Sequence, residues 1–120
     1  MAKRRVVVTG LGIISPVGLN LKQSWDNILA GKSGASSITE FDTSDFSVKF
    51  ACTVKGFDPA EYDLSSKDLR KMYTLIHYGI ASADPAHKDS GLEVTDANAE
   101  RIGLSIGSCI GGLPLTEKNK

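Results

Sequence analysis

The chain opens on Arg4-Arg5-Val6-Val7-Val8-Thr9 and passes at once into Gly10-Leu11-Gly12-Ile13-Ile14-Ser15-Pro16-Val17-Gly18. Three consecutive β-branched valines suit a strand covered on both faces, as in a parallel sheet, because each packs well on a pleated surface and none needs water. The turn that follows must bend sharply. Gly10, Gly12 and Gly18 supply positive φ or close backbone approach, while Pro16 fixes its own φ and drives Ser15 away from helical dihedrals.

Asn20 is placed to cap a helix whose apolar positions Leu21, Trp25, Ile28 and Leu29 share one face, with Gln23 at the capping-box position. Gly31 follows as the left-handed residue that ends it, so strand, turn and helix read as a β-α unit. Residues 32–47 are rich in Ser, Gly and Asp and form a loop with a short extended piece at 38–41. Val48, Phe50, Cys52 and Val54 then alternate as a short strand, and 59–62 add a helical turn. A second helix is capped by Ser65, with Asp68 at the capping-box position and Leu64 stapled onto Leu69. Leu69, Met72, Tyr73, Ile76, Ile80 and Ala83 recur at helical spacing and should face a sheet. Pro85 removes a donor and crowds the carbonyl of Ala81, which predicts a kink or break. Residues 89–91 close this segment. Residues 101–106 alternate as a second strand, followed by the turn Gly107-Ser108-Cys109-Ile110-Gly111-Gly112.

Composition narrows the possible roles. A length of 120 residues allows one small domain or part of one. Fourteen basic and fourteen acidic residues cancel, which argues against a general nucleic-acid or membrane-surface binder. The apolar run at the N-terminus is too short for a secretory signal, and no window reaches the roughly eighteen apolar residues of a spanning helix, so a cytoplasmic location is expected. Cys52 and Cys109 form neither a metal-ligand pattern nor a disulfide framework. Gly10-x-Gly12-x-x-Ser15 nearly fits a dinucleotide fingerprint. It lacks the third glycine and has Pro16 where the helix should start, and no acidic residue ends a second strand about twenty residues on.

From end to end the sequence resembles the β-ketoacyl-acyl-carrier-protein synthases, condensing enzymes of the thiolase fold, and within them the type II synthases. The likeness rests on the opening strand and turn and on ordered matches: Ala30-Gly31-Lys32-Ser33-Gly34, Phe41-Asp42-Thr43-Ser44, Arg70-Lys71-Met72, Tyr78-Gly79-Ile80, Asp89-Ser90-Gly91-Leu92 and Ile106 to Gly112. Asp84-Pro85-Ala86-His87 departs from it, since the family continues there with small and apolar residues. The resemblance implies an α/β chain, the N-terminal portion of a thiolase-like domain over residues 1–120, with an incomplete layered sheet and packed helices. It implies acyl carrier protein as partner, a homodimer, and no metal or organic cofactor.

The family's chemistry is acyl transfer to a cysteine, then decarboxylation of malonyl-carrier protein assisted by two histidines, and Claisen condensation. Its three catalytic residues lie beyond the stretch that matches here, so no catalytic residue is expected in this chain and no activity from residues 1–120 alone. Cys52, in Ala51-Cys52-Thr53, echoes the nucleophile motif but sits in an extended stretch without a helix N-terminus or neighbouring cation, and is read as an inert, partly buried thiol. Cys109 is at most a pocket-lining group. His77 and His87 are read as a packed or solvated imidazole.

Two sets of residues remain as candidate sites. Lys67, Arg70 and Lys71 lie at i, i+3 and i+4 on one side of the second helix near its N-terminal end, where cations oppose the helix dipole. An ordinary solvated face accounts for them, but the resemblance assigns the matching positions to docking of the acidic carrier protein. It likewise gives Ile110 the role of gating the acyl pocket, against a bland alternative of core or interface packing. The competing function is a non-catalytic fragment that docks carrier protein or pairs with another subunit. With only two sheet strands, such a chain is expected to expose apolar edges.

Overall fold

A computed structural model describes residues 3–62, 67, 72–108 and 111. The chain divides into two compact units, one of Ile13–Asp58 and the other of Met1–Gly12 with Pro59–Lys120. The opening apolar run and the helix after it fall in different units, divided between Gly12 and Ile13.

The Ile13–Asp58 unit is organised by helix α1, Leu21–Leu29. Its N-terminus closes as the sequence predicts: Asn20 Oδ1 accepts from Gln23 N at 2.8 Å, while Gln23 Oε1 accepts from Leu19 N at 2.7 Å, one residue earlier than in the usual box. The C-terminus is a Schellman turn. Gly31 takes φ 67°, its N–H bonds to Ile28 O at 3.0 Å, and Lys32 N bonds to Asn27 O at 2.9 Å. Before the helix, Ser15 and Gly18 form an isolated antiparallel bridge. Ser24, 2 % exposed, ties the helix to that turn: its hydroxyl lies 3.1 Å from Ser15 Oγ and 3.2 Å from Gly18 O. A side chain at Gly18 would collide there, since a Cβ would stand 2.5 Å from Ser24 N.

The loop beyond α1 folds back as a minimal ribbon. Strand β1, Ser36–Ser37, pairs antiparallel with β2, Phe50–Ala51, in register Ser36↔Ala51 and Ser37↔Phe50, and Ile38 N extends the contact to Lys49 O. The extended piece thus lies two residues earlier than its sequence reading, and the 48–54 alternation yields only two paired residues. Phe41 and Phe46 pack edge to face at 5.8 Å. Asp42 accepts from both the backbone N–H and the hydroxyl of Ser44, which hold its carboxyl below the usual range.

The second unit is built on helix α2, Thr74–Ser90, which starts from an extended Tyr73 and ends at Gly91 with φ 63°. The proposed Ser65 cap and Leu64–Leu69 staple lie outside the described residues. The continuous helical spacing from Leu69 through Ala83 is interrupted, because Met72 is in a bend and Tyr73 carries ψ 156°, its carbonyl receiving the N–H groups of Ile76 and His77. Of the kink or break expected at Pro85, the break does not occur. A proline costs one helical hydrogen bond and crowds one carbonyl, and here it sits between Asp84 and Lys88, which bridge it as an i,i+4 ion pair at 2.7 Å. One turn earlier Ser82 Oγ bonds back to Tyr78 O at 2.7 Å, the arrangement by which a helix is bent rather than ended.

Residues 4–8 and 101–106 do not form the strands their composition suggests. Neither joins a ladder among the described residues, and Val6, Val7, Val8 and Leu104 are 91, 66, 78 and 79 % exposed. β-propensity expresses fit to a pleated, half-buried neighbour, and no described segment supplies one. A neighbouring stripe of α2, not the one expected to meet a sheet, meets bare backbone. A Cβ on Gly10 would lie 2.1 Å from Ala86 O and 2.7 Å from Ser90 N, and one on Gly12 would lie 2.0 Å from Ser82 O. The glycines earn their place through close approach, not positive φ. Ser82, Ala86 and Ser90 recur every four residues and make the groove that receives them. Leu11 N, between them, donates to Asp89 Oδ2 at 3.0 Å.

Candidate functional site

The start of α2 and the segment leading to Gly111 form the neighbourhood in which the sequence placed the acyl-pocket gate. Gly79 leaves the middle of the helix bare, so Ile106 approaches until a Cβ there would stand 3.3 Å from Ile106 Cδ1. Gly111 also lies close to the helix. A Cβ at Gly111 would lie 2.6 Å from Leu75 Cδ2 and 2.9 Å from Ser108 Oγ. Between these elements Leu75, Ile76, Gly79, Ile80, Ile106 and Ser108 enclose a cavity of about 230 Å³. It opens beside a wider groove of about 410 Å³, where Tyr78 and Ser82 add hydroxyl groups. Such a site offers apolar walls with few polar points, suited to an alkyl chain and not to an ion.

Ile110 and Cys109 themselves lie outside the described residues, as do Arg70 and Lys71 of the basic set. Lys67 is described: it is helical and exposed, as a docking cation must be. The structure therefore brings the described neighbours of Ile110, namely Ser108 and Gly111, against Leu75.

Neither His77 nor His87 lines this cavity. Cys52 is a free, exposed thiol, not the partly buried one expected. Cys52 lies just past the end of β2 at Ala51. His87 is exposed near the end of α2, beside a second cavity of about 730 Å³ that also includes Val8, Gly10 and Leu104. His77 is 8 % exposed and its Nε2 has no hydrogen-bond partner among the described residues. A buried imidazole is thus a packing element with an unmet polar atom, a cost of about 1–3 kcal/mol. Among the described residues no three His, Cys, Asp or Glu side chains converge as metal ligands. No described helix is long and apolar enough to cross a membrane.

Sequence reasoning missed the seat of Gly10 and Gly12 on α2 and the anchoring carboxylate of Asp89. A signal existed for the first: small residues at 82, 86 and 90, spaced by one helical turn, mark a groove open to backbone. For Asp89 there was none, since an exposed acidic residue near a helix end is ordinary.

Comparison with known proteins gives this geometry its context. The family model described as beta-ketoacyl synthase, N-terminal domain, matches residues 3–120. The 3-oxoacyl-[acyl-carrier-protein] synthase 2 of Vibrio cholerae is 57 % identical over 117 residues, which are 98 % of this chain and 28 % of that protein. The protein of the same name from Coxiella burnetii is 49 % identical over 119 residues, 99 % of this chain and again 28 % of its own length. The chain thus spans little more than a quarter of these relatives. Among solved structures, the ishigamide ketosynthase/chain length factor superposes with a TM-score of 0.65 at 38 % identity, covering 77 % of this chain and 23 % of that one.

Proposed function

This chain belongs to the beta-ketoacyl synthase family, and from that premise we propose that it supplies the N-terminal part of a decarboxylating condensing enzyme of fatty acid biosynthesis. The observation that carries the reading is the match of the family's N-terminal-domain model from residue 3 to residue 120. In the complete reaction a cysteine thiolate accepts the acyl group from a carrier-protein thioester, and the carbanion left by loss of CO₂ from malonyl-carrier protein attacks that acyl-enzyme. This stretch contributes recognition and framework to that chemistry and none of its reacting groups. Residues 1–120 by themselves condense nothing.

Within this reading Lys67, Arg70 and Lys71 meet the acidic carrier protein. Exposed cations near a helix start are disfavoured by the dipole by a few tenths of a kcal/mol each, and an acidic partner offsets that cost. Ile110 gates the acyl chain. Its described surroundings support the role: an alkyl tail entering between Leu75, Ile80 and Ile106 keeps apolar contact throughout. The family pairing into a homodimer and a cytoplasmic setting belong to the same proposal.

The basic set is tested by titrating acyl carrier protein against the chain and its Lys67→Glu, Arg70→Glu, Lys71→Glu triple variant at several salt concentrations. Affinity should fall, and its dependence on salt should flatten, in the variant. Equal affinity and equal salt dependence would reject the docking role. A second reading, a non-catalytic fragment that pairs with another subunit, is favoured by the exposed valines at 6–8.

A further inference from the structure

The cavity of about 230 Å³ and the groove of about 410 Å³ share part of their walls, because Leu75, Gly79, Ile106 and Ser108 line both. Gly79 has no side chain to divide them. Ile106 is held against that bare position, where a Cβ would stand 3.3 Å from its Cδ1. Ser108 is too short. Leu75, half-buried, is the remaining side chain that reaches both spaces and is long enough to part them. It is also fixed from a third side. A Cβ at Gly111 would stand 2.6 Å from Leu75 Cδ2, 3.2 Å from Leu75 Cβ and 2.9 Å from Ser108 Oγ. Gly111 lines neither space, so it closes on Leu75 with bare backbone, and pressure from there drives the leucine into the spaces it lines.

We propose that Leu75 is a specificity-determining residue: it is the partition that stops a straight alkyl tail inside the smaller cavity, and moving it lets a longer tail run on into the groove. The inference rests on the reading that an alkyl chain enters here, and it names the side chain that sets the length accepted. The occupant follows from the lining. Neither space is lined by a charged side chain, and the smaller has the Ser108 hydroxyl as its one polar side-chain group. A hydrocarbon keeps apolar contact in such a place, where a headgroup or an ion would lose its water without replacement. Each methylene taken in raises affinity about fourfold, and the gain stops where the tail meets the partition. A leucine is suited to that part, since its branched end changes place by stepping between staggered rotamers while its backbone stays in the helix.

The test titrates the 120-residue chain with straight-chain alcohols from butanol to dodecanol by calorimetry. Affinity should rise about fourfold per added carbon until the cavity is full, and then level off. Leu75→Ala removes an isopropyl group and should move the levelling point about two carbons longer. Gly111→Ala presses the same side chain into the cavity and should move it about one carbon shorter. Leu75→Met, close to leucine in volume, should keep the original point. A purely structural role would weaken every alcohol by the same factor and leave the levelling point in place, and that result overturns the proposal. A shift in the same direction from Leu75→Ala and Gly111→Ala overturns it as well. Should Leu75→Ala lose its helical circular dichroism, the shortening by Gly111→Ala and the unchanged point of Leu75→Met decide the matter. An unsubstituted chain that binds no alcohol sinks the alkyl-site reading together with this inference; binding with a levelling point that no variant moves sinks this inference alone.

Discussion

Helices α1 and α2 are made in opposite ways. The shorter is defined by its ends: Asn20 and Gln23 close the first turn, and Gly31 closes the last. Its apolar face is open, with Trp25, Ile28 and Leu29 at 58, 53 and 68 % exposure. The longer starts at a Tyr73 that makes no side-chain cap and carries a proline inside, yet it buries Ala81 and His77 and seats a glycine-bearing segment along its length. Local hydrogen bonds can therefore specify a helix that has little to pack against. Packing can carry a helix through a residue that local rules would place at its end.

The contrast is most easily broken at Gly12. Replacing Gly12 with valine puts a Cβ where Ser82 O stands 2.0 Å away, and a helix carbonyl cannot yield. The loss should be about 3 kcal/mol, the upper end of overpacking, read as a lower denaturant midpoint; an unchanged midpoint would show that the seat contributes nothing. Smaller is the effect expected at α1, where Asn20→Ala should cost about 1 kcal/mol and speed exchange at the Gln23 amide, leaving α2 untouched. Equal protection in both proteins would mean that the cap is ornamental. Least of all should be the response of the exposed loop at Asp42. Its carboxyl titrates lower in the folded chain than in the unfolded one, so its contribution is present above the unfolded value and fades as pH falls through the folded one. Acid titration by NMR should show the Ser44 amide shifting with that carboxyl, and an amide insensitive to pH would remove the bond.

The same contrast explains what could be read from sequence. Asn20, Gln23 and Gly31 act within a few residues of themselves, so their roles were legible without any knowledge of neighbours. The 3₁₀ turn at Pro59–Glu61 was legible for the same reason. Residues 4–8 and 101–106 have the right side chains for strands, but pairing is a property of two segments and a single one cannot declare its partner. At Pro85 the sequence allowed a kink or a break, and the helix runs through without a break, its turn bridged by Asp84 and Lys88. At the candidate site the sequence marked the turn at 107–112 but not the apolar wall of Leu75, Ile80 and Ile106. The meeting of Gly111 with Leu75 spans many residues and no local rule announces it.

The seat of residues 10 and 12 on α2 also limits itself. Two residues of extended chain advance about 6.6 Å, and four residues of helix about 6 Å, so glycine and groove repeat almost in step from Gly12 to Gly10. The mismatch accumulates with each repeat, as between the two scales of a vernier. The series stops after two because the helix ends at Ser90, already against Gly10, and the next position, Val8, is 78 % exposed.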